Sequence, residues 1–227
     1  MKAAVEAAHD AGRKVAAHAN TTKGMHRAIL AGVDTIEHSG EGTAEIWSLM
    51  KAHGAMLCPT LAATEAIVRY GGWTGAAPEP VAIAEKKASY RAALKAGVTM
   101  CAGGDTGVFA HGHNACEAEL MAAWGMAPAE VLRVLTTGNA HAPGIADTVG
   151  TIAPGREADL VALKGDPIAD MTAIEQVGFV MRAGCGTETL TVKASHVRPG
   201  ALAKPFGDDV FRTAAHLHPV VKRRGIG

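Results

Sequence analysis

Two histidines and an aspartate stand where short apolar segments meet polar turns: His18 in "KVAAHANTTKG", His38 in "VDTIEHSG" and Asp105 in "VTMCAGGDTG". Two neutral imidazoles and a carboxylate are donor types that hold a zinc-like or manganese-like ion while leaving positions open to water. The chemistry such a set supports is that of a Lewis acid with water in its open positions. Taken singly, each residue also fits a bland role as a packed histidine or a turn aspartate. Convergence decides between the two, and convergence is set by the elements that carry these residues.

Those elements repeat. Along the first hundred residues a helical pattern, a glycine, a short apolar strand and a polar residue follow one another four times. The instances are "AAVEAAHDAG" into "RKVAAH", "MHRAILAG" into "VDTIEH", "EIWSLMKAHG" into "AMLCPT", and "ASYRAALKAG" into "VTMCAGGD". Gly12, Gly32, Gly54 and Gly97 suit the left-handed cap that ends a helix. The strands that open at Val15, Val33, Met56 and Val98 show little polar alternation, the pattern of strands covered on both faces. Strands joined by helices run parallel, so His18, His38, Thr60 and Asp105 emerge on one common edge. In parallel α/β sheets that carboxyl edge is where ligands bind.

Beyond Asp105, "TGVFAHGHNACEAELMAAWGM" places His111 and His113 in a loop on the same edge. There His111 faces substrate, metal or solvent, and His113 reads as solvated. Tyr70 lies in "AATEAIVRYGGWTG", taken as a specificity loop, where its hydroxyl contacts substrate or sits at the surface. "MAPAEVLRVLTTGNAHA" reads as one further helix with Pro128 in its first turn. After it, "ADLVALKG" and "VGFVMRAG" read as short strands of a small β element.

Composition narrows the partners. With 22 basic and 22 acidic side chains and 48% hydrophobic residues, the chain has no field to attract nucleic acid or an anionic membrane. No GxGxxG or GxxxxGK[ST] run follows any strand, which weighs against a nucleotide site. Cys58, Cys101, Cys116 and Cys185 show no CxxC spacing and predict free thiols in a reducing compartment. The start "MKAAVEAAHDAG" lacks a signal-peptide apolar core, and no run spans a bilayer, so the expected location is cytoplasmic.

The segments "AAHDAGRKVAAHA", "AILAGVDTIEHSG", "LCPTL", "AGVTMCAGGDTGVFAHG", "TTGNAHAPGI" and "VGTIAPGREADLVALKGDPIADM" resemble the amidohydrolase superfamily, in its imidazolonepropionase-like and prolidase-like (Xaa-Pro dipeptidase-type) branch. The resemblance implies an α/β fold, a (β/α)8 TIM-like barrel followed by a small β-sandwich. His18 and His38 match the metal-binding histidines that end the fifth and sixth strands. Asp105 matches the aspartate that ends the eighth, touches metal and handles the proton of the attacking water. The implied cofactor is a divalent metal, zinc with manganese or cobalt as alternatives. The implied activity is metal-dependent hydrolysis of an amide-type C–N bond in a small-molecule or dipeptide substrate. Two other readings stay open: a catalytically silent truncated remnant or metal-binding fragment, and an open α/β ligand-binding domain without metal.

The departures from the family matter equally. No His-x-His pair precedes His18, and the fourth-strand lysine of this branch has no counterpart. Residues 1–146 therefore correspond to the last four βα units of the barrel, 147–185 to part of the sandwich, and 186–227 to a tail without family resemblance, in which His196, His216 and His218 read as solvated. A barrel opened in this way exposes strand edges and its apolar interior, and predicts a second copy, a partner subunit or a rearranged open sheet over the open edge, or else a marginally stable fold.

Overall fold

Asp34 fixes the register of the first two strands. Its carboxylate accepts the Val15 N–H and the side chains of His9 and Lys14, each at 2.8 Å. The residue just ahead of the second strand is thereby tied to the start of the first. In a computed structural model, which describes residues 1–187, α1 (Lys2–Asp10) leads to β1 (Ala16–Ala19), α2 (Thr22–Leu30) to β2 (Thr35–His38), and α3 (Ala44–His53) to β3 (Met56–Cys58). The three strands lie parallel in the order β1-β2-β3. Helices α4 (Leu61–Tyr70) and α5 (Val81–Ala96) follow.

Beyond α5 the chain returns beside β3 through a single parallel bridge between Leu57 and Met100. The Cys101 N–H donates to the Leu57 carbonyl at 2.8 Å. The fourth strand of the sequence pattern is thus reduced to one bridge, because Gly103 and Gly104 follow at once and glycine carries no side chain to hold a strand extended. The helix ends come where the glycines predict them. Gly54 and Gly97 cap α3 and α5 in the left-handed region, at φ of 69° and 71°.

Two segments differ from their sequence pattern. The stretch read as a loop around Tyr70 folds into α4, whose first turn is anchored by the burial of Leu61, Ala62 and Ala63. The run read as a single helix is α7 (Pro128–Arg133), a π-helical stretch over Val134–Gly138, and α8 (Asn139–His141), after α6 (Cys116–Ala123). Last comes an antiparallel sheet of β4 (Leu160–Leu163), β5 (Val177–Arg182) and β6 (Cys185–Thr187). The first two of these strands stand where the sequence places them. The tail histidines His196, His216 and His218 lie outside the described residues.

Ala17, Ala19, Ile36, Leu57 and Met100 share one face of the parallel sheet and pack with Met25, Trp47, Met50, Tyr90 and Met121 of the surrounding helices. Leu57 is fully buried there, and cutting it to alanine would cost about 2–5 kcal/mol. The opposite face carries Ala16, His18, Thr35, Glu37, Met56 and Cys58 by strand alternation. It is not covered throughout as its sequence predicts: Ala16 and His18 are exposed.

The expectation of four free thiols is overturned. Cys58 and Cys101 are joined Sγ to Sγ, with Cα atoms 4.6 Å apart. The Leu57–Met100 bridge sets the two cysteines side by side on neighbouring segments, within the span a disulfide requires. Cys116 and Cys185 are free. No helix among the described residues is long and apolar enough to cross a membrane.

Candidate active site

His18 and His38 meet at the carboxyl ends of β1 and β2, their ring centroids 4.3 Å apart in an edge-to-face arrangement. Strict alternation would send His38 to the helix-covered face with Ile36. Its backbone instead takes a left-handed φ of 80°, which reorients the side chain and accounts for the approach to His18. Ser39 at 60°, Thr60 at 49° and Asp105 at 61° are left-handed too, so four of the five non-glycine residues of this kind among the described residues stand at this one edge. Each such residue costs on the order of 1–3 kcal/mol, and strain of this kind concentrates at functional sites.

The surroundings hold those corners in place. His38 Nδ1 and Thr60 Oγ1 share a hydrogen bond of 2.6 Å. From α5, the buried Lys86 ammonium donates to the His38 carbonyl and the Ser89 hydroxyl donates to the Ser39 carbonyl at 3.0 Å. From α6, Glu117 Oε2 accepts the Ala62 N–H at 2.8 Å, while its Oε1 is buried without a hydrogen-bond partner. On the open face, Glu37 lies opposite His18 in the register and accepts from the Thr35 hydroxyl at 2.6 Å.

The electrostatics favour a neutral imidazole at His38. Burial, then the adjacent His18 and Lys86, hold it below the usual histidine range against the opposing pull of Asp105. A neutral ring is the form that binds metal. Burial raises the Glu37 carboxyl, the Thr35 bond opposes, and the charge of Asp105 raises it further. Burial also brings Lys86 down to about 8 against the attraction of Glu117. It pushes Glu117 up to about 7, although the N–H groups of Ala62, Leu61 and Thr60 and the charge of Lys86 favour its ionised form.

The sequence-derived candidates divide. His18 and His38 are in contact, and Asp105, exposed in the loop after the bridge, is near enough for its charge to act on His38 and Glu37. Among the described residues, however, no three His, Cys, Asp or Glu side chains converge as a ligand set. His111 is exposed. Tyr70 is 57% exposed and its hydroxyl donates to the Val108 carbonyl at 2.6 Å, tying α4 to the loop that carries Asp105. Open cavities of about 610 and 560 Å³ lie elsewhere, beside Ile145 and Val161 in one case and Leu94 and His141 in the other.

Lys86, Glu117 and Glu37 are absent from the sequence-level candidates. For two of them a signal exists. Lys86 interrupts the buried stripe Ile83, Tyr90 and Ala93 at helical spacing, and Glu117 stands one turn before the buried Met121. A charge in an apolar stripe implies a specific partner.

Known proteins similar to this chain fall in one family. The model of the amidohydrolase family matches residues 1–185. Ochratoxinase of Aspergillus niger is 31% identical over 216 residues, covering 92% of this chain and 43% of that protein. A crystal structure of a Xaa-Pro dipeptidase with bound methionine superposes with a TM-score of 0.75 at 34% identity, over 82% of this chain and 47% of the other. The A. niger ochratoxinase structure gives 0.72 at 29% identity, over 81% and 43%. The chain therefore spans somewhat under half the length of these relatives. The match of the family model over residues 1–185 makes the chain a member of the amidohydrolase family.

Proposed function

We propose that this chain carries the carboxyl-terminal half of a metal-dependent amidohydrolase site, with His18 and His38 as the two imidazole ligands and Asp105 as the proton-handling carboxylate. The observation that carries this reading is the contact of the two rings at the carboxyl edge of a parallel sheet. The donor set suits zinc, with manganese or cobalt as alternatives. When bound, such an ion acidifies a water and polarises the carbonyl under attack. Asp105 takes the proton of the attacking water and returns it to the departing nitrogen as the C–N bond breaks, which leaves a carboxylate and an amine. Residues 1–146 correspond in this reading to the last four βα units of the barrel.

The substrate we propose is a dipeptide or another small amide, because the relatives include a Xaa-Pro dipeptidase and ochratoxinase. Tyr70 shapes the pocket by anchoring the Asp105 loop, and His111, exposed on that loop, is available to a substrate. Since only two donors meet here, hydrolysis by the chain alone should be slow: positioning is a large part of rate.

Metal content measured on the purified chain and on a His18→Ala, His38→Ala double variant tests the proposal. The expected result is bound divalent metal that the double variant loses. Slow dipeptide cleavage should accompany it, abolished by chelator and by Asp105→Asn even where that variant keeps its metal. Equal metal content in both proteins would refute the site. Metal binding without cleavage of any amide would leave a metal-binding fragment.

A further inference from the structure

Thr60 precedes α4 and occupies the position whose side chain ordinarily caps a helix, yet it makes no capping bond. Its left-handed backbone, φ 49°, differs from the extended geometry from which a threonine hydroxyl reaches the N–H groups of the first turn. Two observations show what has happened instead. A carboxylate from another helix, Glu117 of α6, accepts the Ala62 N–H at 2.8 Å. The released Thr60 hydroxyl turns to His38 Nδ1 at 2.6 Å. An anion at a helix N-terminus is favoured by the unpaired N–H groups and the helix dipole, so the exchange leaves α4 capped.

We propose that Glu117 caps α4 in place of Thr60 so that Thr60 serves as the positioning residue of His38, accepting its Nδ1–H and leaving Nε2 as the ring atom free to bind an ion. This rests on the metal reading above for its purpose, but the hydrogen-bond assignment stands apart from it. A neutral histidine has one donor and one acceptor nitrogen, and a hydroxyl can serve as either partner, so the Nδ1–H tautomer is the part of the proposal that the experiment reads. Groups that hold a ligating histidine in this way typically change metal affinity by 10–100-fold when removed.

The test is ring ¹⁵N spectroscopy of the intact chain at pH 8, free of metal, with His38 assigned by comparison with His38→Ala. Binding of Zn²⁺ is then measured by chelator competition. In the native protein His38 should carry its proton on Nδ1. In Thr60→Val, which keeps the shape and loses the hydroxyl, the proton should pass to Nε2 and zinc should bind 10–100-fold more weakly. Thr60→Ser should restore both. Glu117→Gln, which keeps an acceptor for the Ala62 N–H, should leave the Nδ1 proton in place. A native His38 protonated on Nε2, a Thr60→Val protein with unchanged tautomer, or unchanged zinc affinity in Thr60→Val where the native chain binds zinc, would overturn the proposal. A native chain that binds no zinc but shows the Thr60-dependent tautomer would refute the metal reading and support the positioning role.

Discussion

Glu117 is 2% exposed, and burial there gives the pH dependence of folding a definite sign. Its carboxyl rises from an ordinary 4.5 to about 7 in the folded chain. Between those values the folded protein binds more protons than the unfolded one. The stabilisation is therefore complete below pH 4.5 and is lost as pH climbs through about 7. A shift of that size corresponds to roughly 3 kcal/mol at 1.36 kcal/mol per pK unit. Glu117→Gln cannot ionise, so its stability relative to the native chain should improve by up to that amount from pH 4.5 to pH 8. Urea unfolding of both proteins at the two pH values checks this, and parallel profiles would show that the carboxyl does not titrate in the window. Half of this residue's role was visible in the sequence, as a charge in an apolar stripe. Its partner, the start of α4, was hidden because it comes from 55 positions away in the chain and because α4 itself was not foreseen.

Elements were legible where local chemistry decides them. Gly54 and Gly97 end their helices, and the β1-β2-β3 strands open within two residues of the expected starts, since a left-handed cap and an apolar strand are both short-range signals. What short-range patterns cannot show is how one segment rescues another. The fourth strand shrinks to a bridge, and its continuation is held by a side chain instead: Asn139 Oδ1 accepts the Ala102 N–H at 2.7 Å while its Nδ2 donates to the Ala102 carbonyl at 3.0 Å. Asn139 mimics a missing strand, and it is presented by the helical turn that follows the π-helical stretch. The left-handed turn that brings His38 against His18 is equally tertiary, because a positive φ is uncommon even for histidine and no local pattern in the sequence requires it here. Replacing Asn139 by alanine should cost about 1–3 kcal/mol, the usual penalty for leaving backbone polar groups unpaired. The Ala102 amide should lose its protection from hydrogen exchange at the same time. A loss of stability without faster exchange at Ala102 would place the effect elsewhere in α8.

For the whole molecule the question is what covers the parallel sheet on the side its helices leave open. Among the described residues β1 pairs only with β2, which leaves one strand edge with its backbone groups available, and Ala16 and His18 beside it are exposed. The antiparallel sheet adds apolar surface: Val161 is 60% exposed and Ile152, in the turn before it, 91%. Free strand edges and contiguous apolar surface favour association. The proposal follows that a second copy, or a partner chain, seats against the β1 edge. Sedimentation across two orders of magnitude in concentration should show reversible self-association, with the apparent melting temperature rising as the chain is concentrated. Ala16→Lys sets a charge on the open face without touching the helix-packed core, so it should weaken association while leaving the folded monomer's circular dichroism unchanged. A monomer at every concentration that unfolds in one cooperative step would mean that the sheet closes within a single chain, and the partner would not be needed.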